Sequence, residues 1–258
     1  MALTFNNQQD DILDSVTDYW HNRAQGYSES NIAELNSDKR QIWLNAILSL
    51  APQDPHLNVL DIGTGPGFFA IILALAGHRV TAVDATTAML EQARTNALQQ
   101  QANIEFVQSD VHHLPFIDEQ FDLIVCRNVT WNLQDPVQAY QEWYRVLKPG
   151  GRLVVFDANW YLHLFDDAYM QGFKQDRENT QLEQVNDHYV NTDTRAMAAI
   201  ARQLPLSQVQ RPQWDIPVLL DIGFSQCLLD TKVGEQVWDH EEKINYGSTP
   251  MFVIAAQK

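Results

Sequence analysis

Three glycines at alternate positions, Gly63, Gly65 and Gly67, sit between an apolar run carrying Asp61 and a second apolar run that opens at Phe68. Without side chains, a loop can bring its backbone close to a ligand and adopt positive φ angles. Dinucleotide-binding loops space their glycines as GxGxxG. Here the spacing is GxGxG, with Phe68 where the third dinucleotide glycine would stand, which counts against NAD and FAD. About 20 residues further on, Asp84 closes the run Val80-Thr81-Ala82-Val83. An acceptor-only carboxylate at that distance suits the two hydroxyls of a ribose. It can equally cap a helix beginning near Thr86.

These groups need a scaffold that brings strand ends together. Short apolar runs at 57–62, 79–83, 104–108, 121–126 and 152–156 read as strands, and 68–76, 86–100 and 136–147 as the helices between them. Lys148-Pro149-Gly150-Gly151 ends the last helix, since proline and glycine oppose its continuation. Such alternation predicts a parallel sheet with helices on both faces. Residues 10–50 read as helical, from the spacing of Val16, Tyr19 and Trp20 and of Ile42, Leu44, Ile47 and Leu48. Residues 159–214 break the rhythm and read as a helical insertion. Two closing strands, near 224–230 and 251–256, flank a polar link expected to form a long hairpin.

The bulk composition narrows the function. The 258 residues are 45% hydrophobic and 19% charged, an ordinary globular balance. A net charge of -16 repels phosphate backbones and anionic membranes, so neither nucleic acid nor membrane is expected as a partner. Cys126 and Cys227 sit in apolar runs as small core residues, and their spacing suggests no metal site. The polar stretch 1–14 has no signal-peptide core, and the apolar run 68–77 is too short to span a bilayer. A cytoplasmic protein is the expectation.

Further segments carry a family resemblance. Val59-Leu60-Asp61-Ile62-Gly63-Thr64-Gly65-Pro66-Gly67-Phe68, with Asp84, is followed by Ser109-Asp110-Val111-His112-His113-Leu114-Pro115-Phe116, then Phe121-Asp122-Leu123-Ile124-Val125-Cys126, then Arg145-Val146-Leu147-Lys148-Pro149-Gly150-Gly151. In this order the chain resembles a class I S-adenosylmethionine-dependent methyltransferase, similar to the small-molecule methyltransferases of ubiquinone and menaquinone biosynthesis. The resemblance implies a Rossmann-like α/β fold: a doubly wound, seven-stranded, mostly parallel sheet with its last strand antiparallel, an N-terminal helical lid, and a helical insertion after the fifth strand. It implies S-adenosyl-L-methionine as cofactor and S-adenosyl-L-homocysteine as product. By the same resemblance, Asp61 and Gly63 lie against the methionine part, and Thr64, Gly65 and Gly67 belong to the cofactor site with them. Asp84 belongs to the ribose and Ala85 to the cofactor site beside it; Met89 packs on the adenine or only within the core, Asp110 and Val111 bind the adenine, and Arg127 and Asn128 fall on the amine and sulfonium side. Tyr19, Arg23 and Tyr27 belong to the lid, with Arg23 facing the methionine carboxylate.

The resemblance leaves the acceptor open. The expected function is methyl transfer to a small-molecule acceptor by in-line displacement. A protein methyltransferase and a non-catalytic cofactor-binding partner subunit are the alternatives. His163 and Asp157 are the candidates for handling a proton, and His112 and His113 read as surface or lid residues. The aromatic start of the insertion, with Trp160, Tyr161, Tyr169, Phe173, His188 and Tyr189, reads as an acceptor pocket. One methyltransferase domain over 1–258 is expected: lid 1–50, cofactor core 51–158, insertion and acceptor cap 159–214, and closing strands 215–258. The sequence leaves monomer or homodimer open.

Overall fold

The structure, a computed structural model, describes residues 6–190 and 192–258, with side chains described from residue 12 onward. Residues 1–5 of the polar opening stretch therefore lie outside the description. Five parallel strands form most of the sheet: β1 (Asn58–Ile62), β2 (Arg79–Asp84), β3 (Ile104–Gln108), β4 (Phe121–Arg127) and β5 (Leu147–Asp157). The strands β6 (Gln226–Asp230) and β7 (Phe252–Gln257) complete it, and β7 runs antiparallel to both β5 and β6. The order β3-β2-β1-β4-β5-β7-β6 is the seven-stranded, mostly parallel sheet that the sequence led us to expect.

The chain winds outward in one direction from β1 to β3 and in the other from β4 to β5. That reversal separates the loops leaving β1 and β4, and a ligand crevice opens between them at the carboxyl ends of the strands. β4 shows why the sheet is stable. Leu123 and Val125 join the core on one face with Trp43, Phe69 and Phe156, while Ile124 and Cys126 join the core on the other with Tyr140 and Trp143. A strand buried on both faces reads as a continuous apolar run, as this one does. The helices α3 (Phe68–Leu75), α4 (Thr87–Gln99) and α5 (Pro136–Val146) cover the sheet. Asp135 starts α5 by accepting from the Gln138 N–H, and Pro136 occupies the first turn, where no N–H is required.

At the front of the chain, α1 (Asn6–Leu35) and α2 (Lys39–Leu50) precede the sheet. The Asn96 amide on α4 donates to both Ser28 Oγ and the Pro66 carbonyl, which fastens α1 to the glycine loop. After β5 come α6 (Asp167–Glu183), α7 (Thr194–Ala201) and α8 (Asp215–Ile222), the helical insertion and its return to the sheet. Among the described residues no helix is long and apolar enough to cross a membrane.

Three details differ from the sequence reading. β5 begins at Leu147, directly at the end of α5, because Leu147 already pairs with Phe121 across a bulge. Cys227 lies on the edge strand β6 and is partly exposed, whereas Cys126 is buried as expected. The polar link before β7 is not a bare hairpin loop. It folds into α9 (Gly234–Val237) and α10 (His240–Asn245), and α10 opens with a capping box between Asp239 and Glu242. Lys39 on α2 holds this segment, with Nζ 2.6 Å from Asp239 and 2.8 Å from Glu242.

Candidate active site

A cavity of about 340 Å³ opens where β1 and β4 end, within the usual size of a small-molecule site. One end is lined by Gly63, Gly65, Asp84, Met89 and Asp110, and the other by Trp160, Tyr161, His163, Phe173 and Tyr189. Between them α1 supplies Tyr19, Trp20, Arg23 and Tyr27, and the loop after β4 supplies Asn128, Trp131, Asn132 and Gln134. Of the residues that the family resemblance assigns to the cofactor, Ala85, Val111 and Arg127 also reach this cavity.

Each carboxylate at the first end is held by the backbone around it. Asp84 Oδ2 accepts from the Gly65 N–H at 2.9 Å and Oδ1 from the Thr86 N–H at 2.8 Å. The ribose and helix-start readings of Asp84 are therefore compatible, because each carboxylate oxygen keeps a second lone pair. Burial raises its pKa, against the pull of those two N–H groups. Asp110 is half-buried. Burial pushes its carboxyl up, but hydrogen bonds from His112 outweigh this and hold it below the usual range.

His112 itself differs from expectation. It is buried at 4% exposure, with Nε2 accepting from the Asp135 N–H at 3.3 Å and Nδ1 2.6 Å from Asp110 Oδ1. That pairing puts the proton on Nδ1 and makes His112 a brace that aims Asp110, leaving Asp110 Oδ2 the freer acceptor. His113 is exposed, as the sequence suggested.

Asp61 and Thr64 do not line the large cavity. With Gly63, Tyr27 and Arg127 they line an adjoining cavity of about 20 Å³ behind the loop. Burial pushes the Asp61 carboxyl up to about 7, although Thr64 Oγ and the Ala70 N–H donate to it. A buried carboxylate with so few partners is a natural counter-charge for a bound ammonium group. Gly67 proves to be a packing residue. With φ at 93° it starts α3, and a Cβ there would stand 3.2 Å from Ala93 on α4. Its lack of a side chain serves helix packing rather than ligand approach.

Arg127 has a role the sequence did not suggest. Its guanidinium makes a two-pronged pair with Glu34 of α1, at 3.0 and 2.8 Å, and lies over the rings of Trp43, Phe68 and Phe69. It clamps α1 to the end of β4. Arg23, by contrast, faces the cavity with no ion-pair partner among the described residues.

At the second end, Asp157 must be withdrawn as a candidate base. It is fully buried and accepts from Thr130 Oγ, the Trp131 and Ala158 N–H groups, the Trp160 indole and Arg211. Five donors fill its acceptor capacity, and it does not line the cavity. It braces Trp131 and Trp160, which do. His163 lines the cavity, stacked on Phe173 at 4.3 Å, and burial lowers its pKa to about 4, so near neutrality it carries no charge. Asn128, Asn132 and Gln134 each present a buried amide oxygen with no hydrogen-bond partner, and Asn128 adopts a φ of 59°. Unpaired acceptors and a strained backbone on one cavity wall are features of ligand sites. Gln134 escaped the sequence reading because nothing in its neighbourhood marks it. Tyr246, which lies in the segment read as a polar link, also lines the cavity.

Residues 60–155 match the family model described as "Methyltransferase domain". Over 121 residues the chain is 37% identical to the ubiquinone/menaquinone biosynthesis C-methyltransferase of Ruegeria sp. (strain TM1040), covering 45% of this chain and 48% of that protein. It is 31% identical over 155 residues to the arsenite methyltransferase of Halobacterium salinarum, covering 56% of this chain and 38% of that protein. The chain thus spans about half the length, or less, of these curated relatives. Haemonchus contortus phosphoethanolamine N-methyltransferase 2, solved with phosphomonomethylethanolamine and S-adenosylhomocysteine, shares the fold. Its TM-score is 0.61 at 15% identity, over 94% of this chain and 60% of that one. The sheet order is that of the Rossmann-like methyltransferase fold, and the match to the methyltransferase-domain model runs from within β1 to within β5. The relatives similar in sequence thus include a C-methyltransferase of ubiquinone/menaquinone biosynthesis and an arsenite methyltransferase.

Proposed function

We propose that this chain transfers a methyl group from S-adenosylmethionine to a small, partly polar acceptor. One observation carries the reading: a single cavity joins the glycine loop and its carboxylates to an aromatic chamber under α1 and the insertion. When bound, the cofactor supplies a methyl group already activated on a sulfonium. The chain has to hold it, exclude water and align the acceptor. Asp84 would hold the ribose, Asp110 the adenine amino group, and Asp61 with Arg23 the two charged ends of the methionine. Tyr19, Trp20 and Tyr27 on α1 would cover the sulfonium with ring faces, which favour a cation.

The acceptor would enter between α1 and the insertion, against Trp160, Tyr161 and His163. Roofing by two helical segments suits a small molecule better than an extended peptide. The likeness to a C-methyltransferase of quinone biosynthesis favours carbon as the atom methylated. Division into lid, cofactor core, acceptor cap and closing strands follows the same logic and is part of the proposal.

The test is incorporation of label from methyl-labelled S-adenosylmethionine into a small-metabolite extract, with the products separated by mass. Label should appear in a low-molecular-mass product. His163→Ala should lower that incorporation about tenfold or more while S-adenosylmethionine affinity changes by less than about twofold, because His163 stands at the acceptor end. Label found only in protein, or none at all, would refute the small-molecule reading.

A further inference from the structure

Beside the aromatic chamber lies a chain of three side chains to which neither the cofactor nor the acceptor wall gives a role. His188 Nδ1 is 2.8 Å from Tyr246 Oη, and His188 Nε2 is 2.9 Å from Glu241 Oε1. A carboxylate can only accept, so Nε2 carries the proton. With the imidazole neutral, Nδ1 is then a lone pair to which the Tyr246 hydroxyl donates. Tyr246 and His188 line the cavity, while the Glu241 side chain is 35% exposed. The row therefore begins at the chamber and ends in solvent.

Its members are firmly placed. The Asn245 amide oxygen accepts from the His188 N–H at 3.0 Å, and its Nδ2 donates to the Asn186 carbonyl at 2.8 Å. Arg177 donates to Asn245 and pairs with Asp187. The Tyr246 ring meets Trp160 edge-on at 5.2 Å and Trp238 at 5.5 Å. The same Trp160 donates its indole N–H to Asp157, so the ring beside Tyr246 is itself held.

We infer that Tyr246, His188 and Glu241 form a proton path that takes the proton shed by the methyl acceptor out to solvent; the inference rests on reading this chamber as the acceptor site. As the acceptor atom forms its bond to the methyl carbon, the carbon–sulfur bond breaks with its electron pair remaining on sulfur. The proton lost by the acceptor passes to Tyr246 Oη, whose own proton moves to His188 Nδ1. The Nε2 proton moves to Glu241 Oε1 and from there to water. One proton enters the path and one leaves it. Burial raises the Tyr246 pKa well above its ordinary value, so the tyrosine relays a proton rather than standing ionised. The charged and titratable groups around the path are Tyr161, Tyr189, Arg177 and Asp187 on the insertion side, Asp239 and Glu242 at α10, and Tyr27 from α1. Tyr246 would be the group that touches the acceptor, while His188 and Glu241 act through it.

Two measurements test the path. The first needs no cofactor: two-bond proton–nitrogen spectra of histidine-labelled protein. They should find His188 neutral with its proton on Nε2, and its Nδ1 resonance should move in Tyr246→Phe. A proton on Nδ1 in the unsubstituted protein would overturn the path. The second follows labelled methyl transfer into the metabolite extract across pH. Tyr246→Phe should lower turnover about 100-fold and make the residual rate climb with hydroxide, with S-adenosylmethionine affinity and melting temperature held. Glu241→Gln, on a partly exposed side chain, should give a smaller drop in turnover with the same change in pH profile. If Tyr246→Phe keeps the turnover and pH profile of the unsubstituted protein, the path alone falls. An unsubstituted protein that neither binds S-adenosylmethionine nor transfers label overturns both the path and the function on which it rests.

Discussion

Replacing Arg211 with methionine is expected to destabilise the folded chain by about 3–5 kcal/mol, the usual result of stripping one partner from a buried ion pair. Arg211 is fully buried, and its guanidinium serves three groups at once. Nε and Nη2 donate to Asp215 at 2.9 and 2.6 Å, Nη1 donates to Asp157 at 2.8 Å, and Nη2 also reaches Thr130 Oγ at 2.6 Å. Tyr140 adds its hydroxyl to Asp215 at 2.6 Å. The cluster ties the loop after β4 to the end of β5, to α5 and to α8. Methionine would fill much of the volume but leave two buried carboxylates without a cation. Protonation would remove that uncompensated charge. The folded variant should then bind more protons than its unfolded chain, so its deficit should shrink as pH falls. Urea denaturation at neutral and acid pH measures both effects. A variant within about 1 kcal/mol of the parent at neutral pH would show that the cluster is not the keystone described.

Substituting Gly65 with valine is expected to weaken S-adenosylmethionine binding at least about 100-fold, or about 2.7 kcal/mol. Gly65 has a φ of 52°, a left-handed conformation that costs an L-residue about 1–2 kcal/mol. A Cβ there would stand 3.5 Å from the Tyr27 ring, where α1 meets the loop. The Gly65 N–H also donates to Asp84, so any shift of this backbone disturbs the carboxylate that would hold the ribose. A β-branched side chain adds bulk on the ligand side and stiffness at χ1. The loop is not part of either apolar core, so the variant should still melt cooperatively. A folded Gly65→Val variant with parental affinity would show that the ligand does not touch this loop.

The strands were legible because a buried parallel strand must be apolar on both faces, and 121–126 is a nearly unbroken apolar run. Asp84 was legible from its distance to the glycine loop. What escaped the sequence depended on partners remote in the chain. Asp157 has the position and chemistry of a base, but Arg211, from the far end of the insertion, occupies it. His112 has two neighbours in sequence that suggest a surface loop, yet the Asp135 N–H from another element buries it. Arg127 follows the motif strand directly, but Glu34 on α1 pairs with its charge. Tyr246 lies in a stretch rich in charge that reads as a polar link, yet Trp160 and Trp238 pack against its ring. Local pattern reveals which face of an element is buried; it does not reveal which distant side chain neutralises a charge.

Calorimetric titration of the purified chain with S-adenosylmethionine, S-adenosylhomocysteine and NADH in parallel bears on the cofactor reading without knowledge of the acceptor. Both sulfur nucleosides should bind, at about micromolar strength, and NADH should not. Binding of NADH with neither sulfur nucleoside bound would contradict the assignment of this cavity.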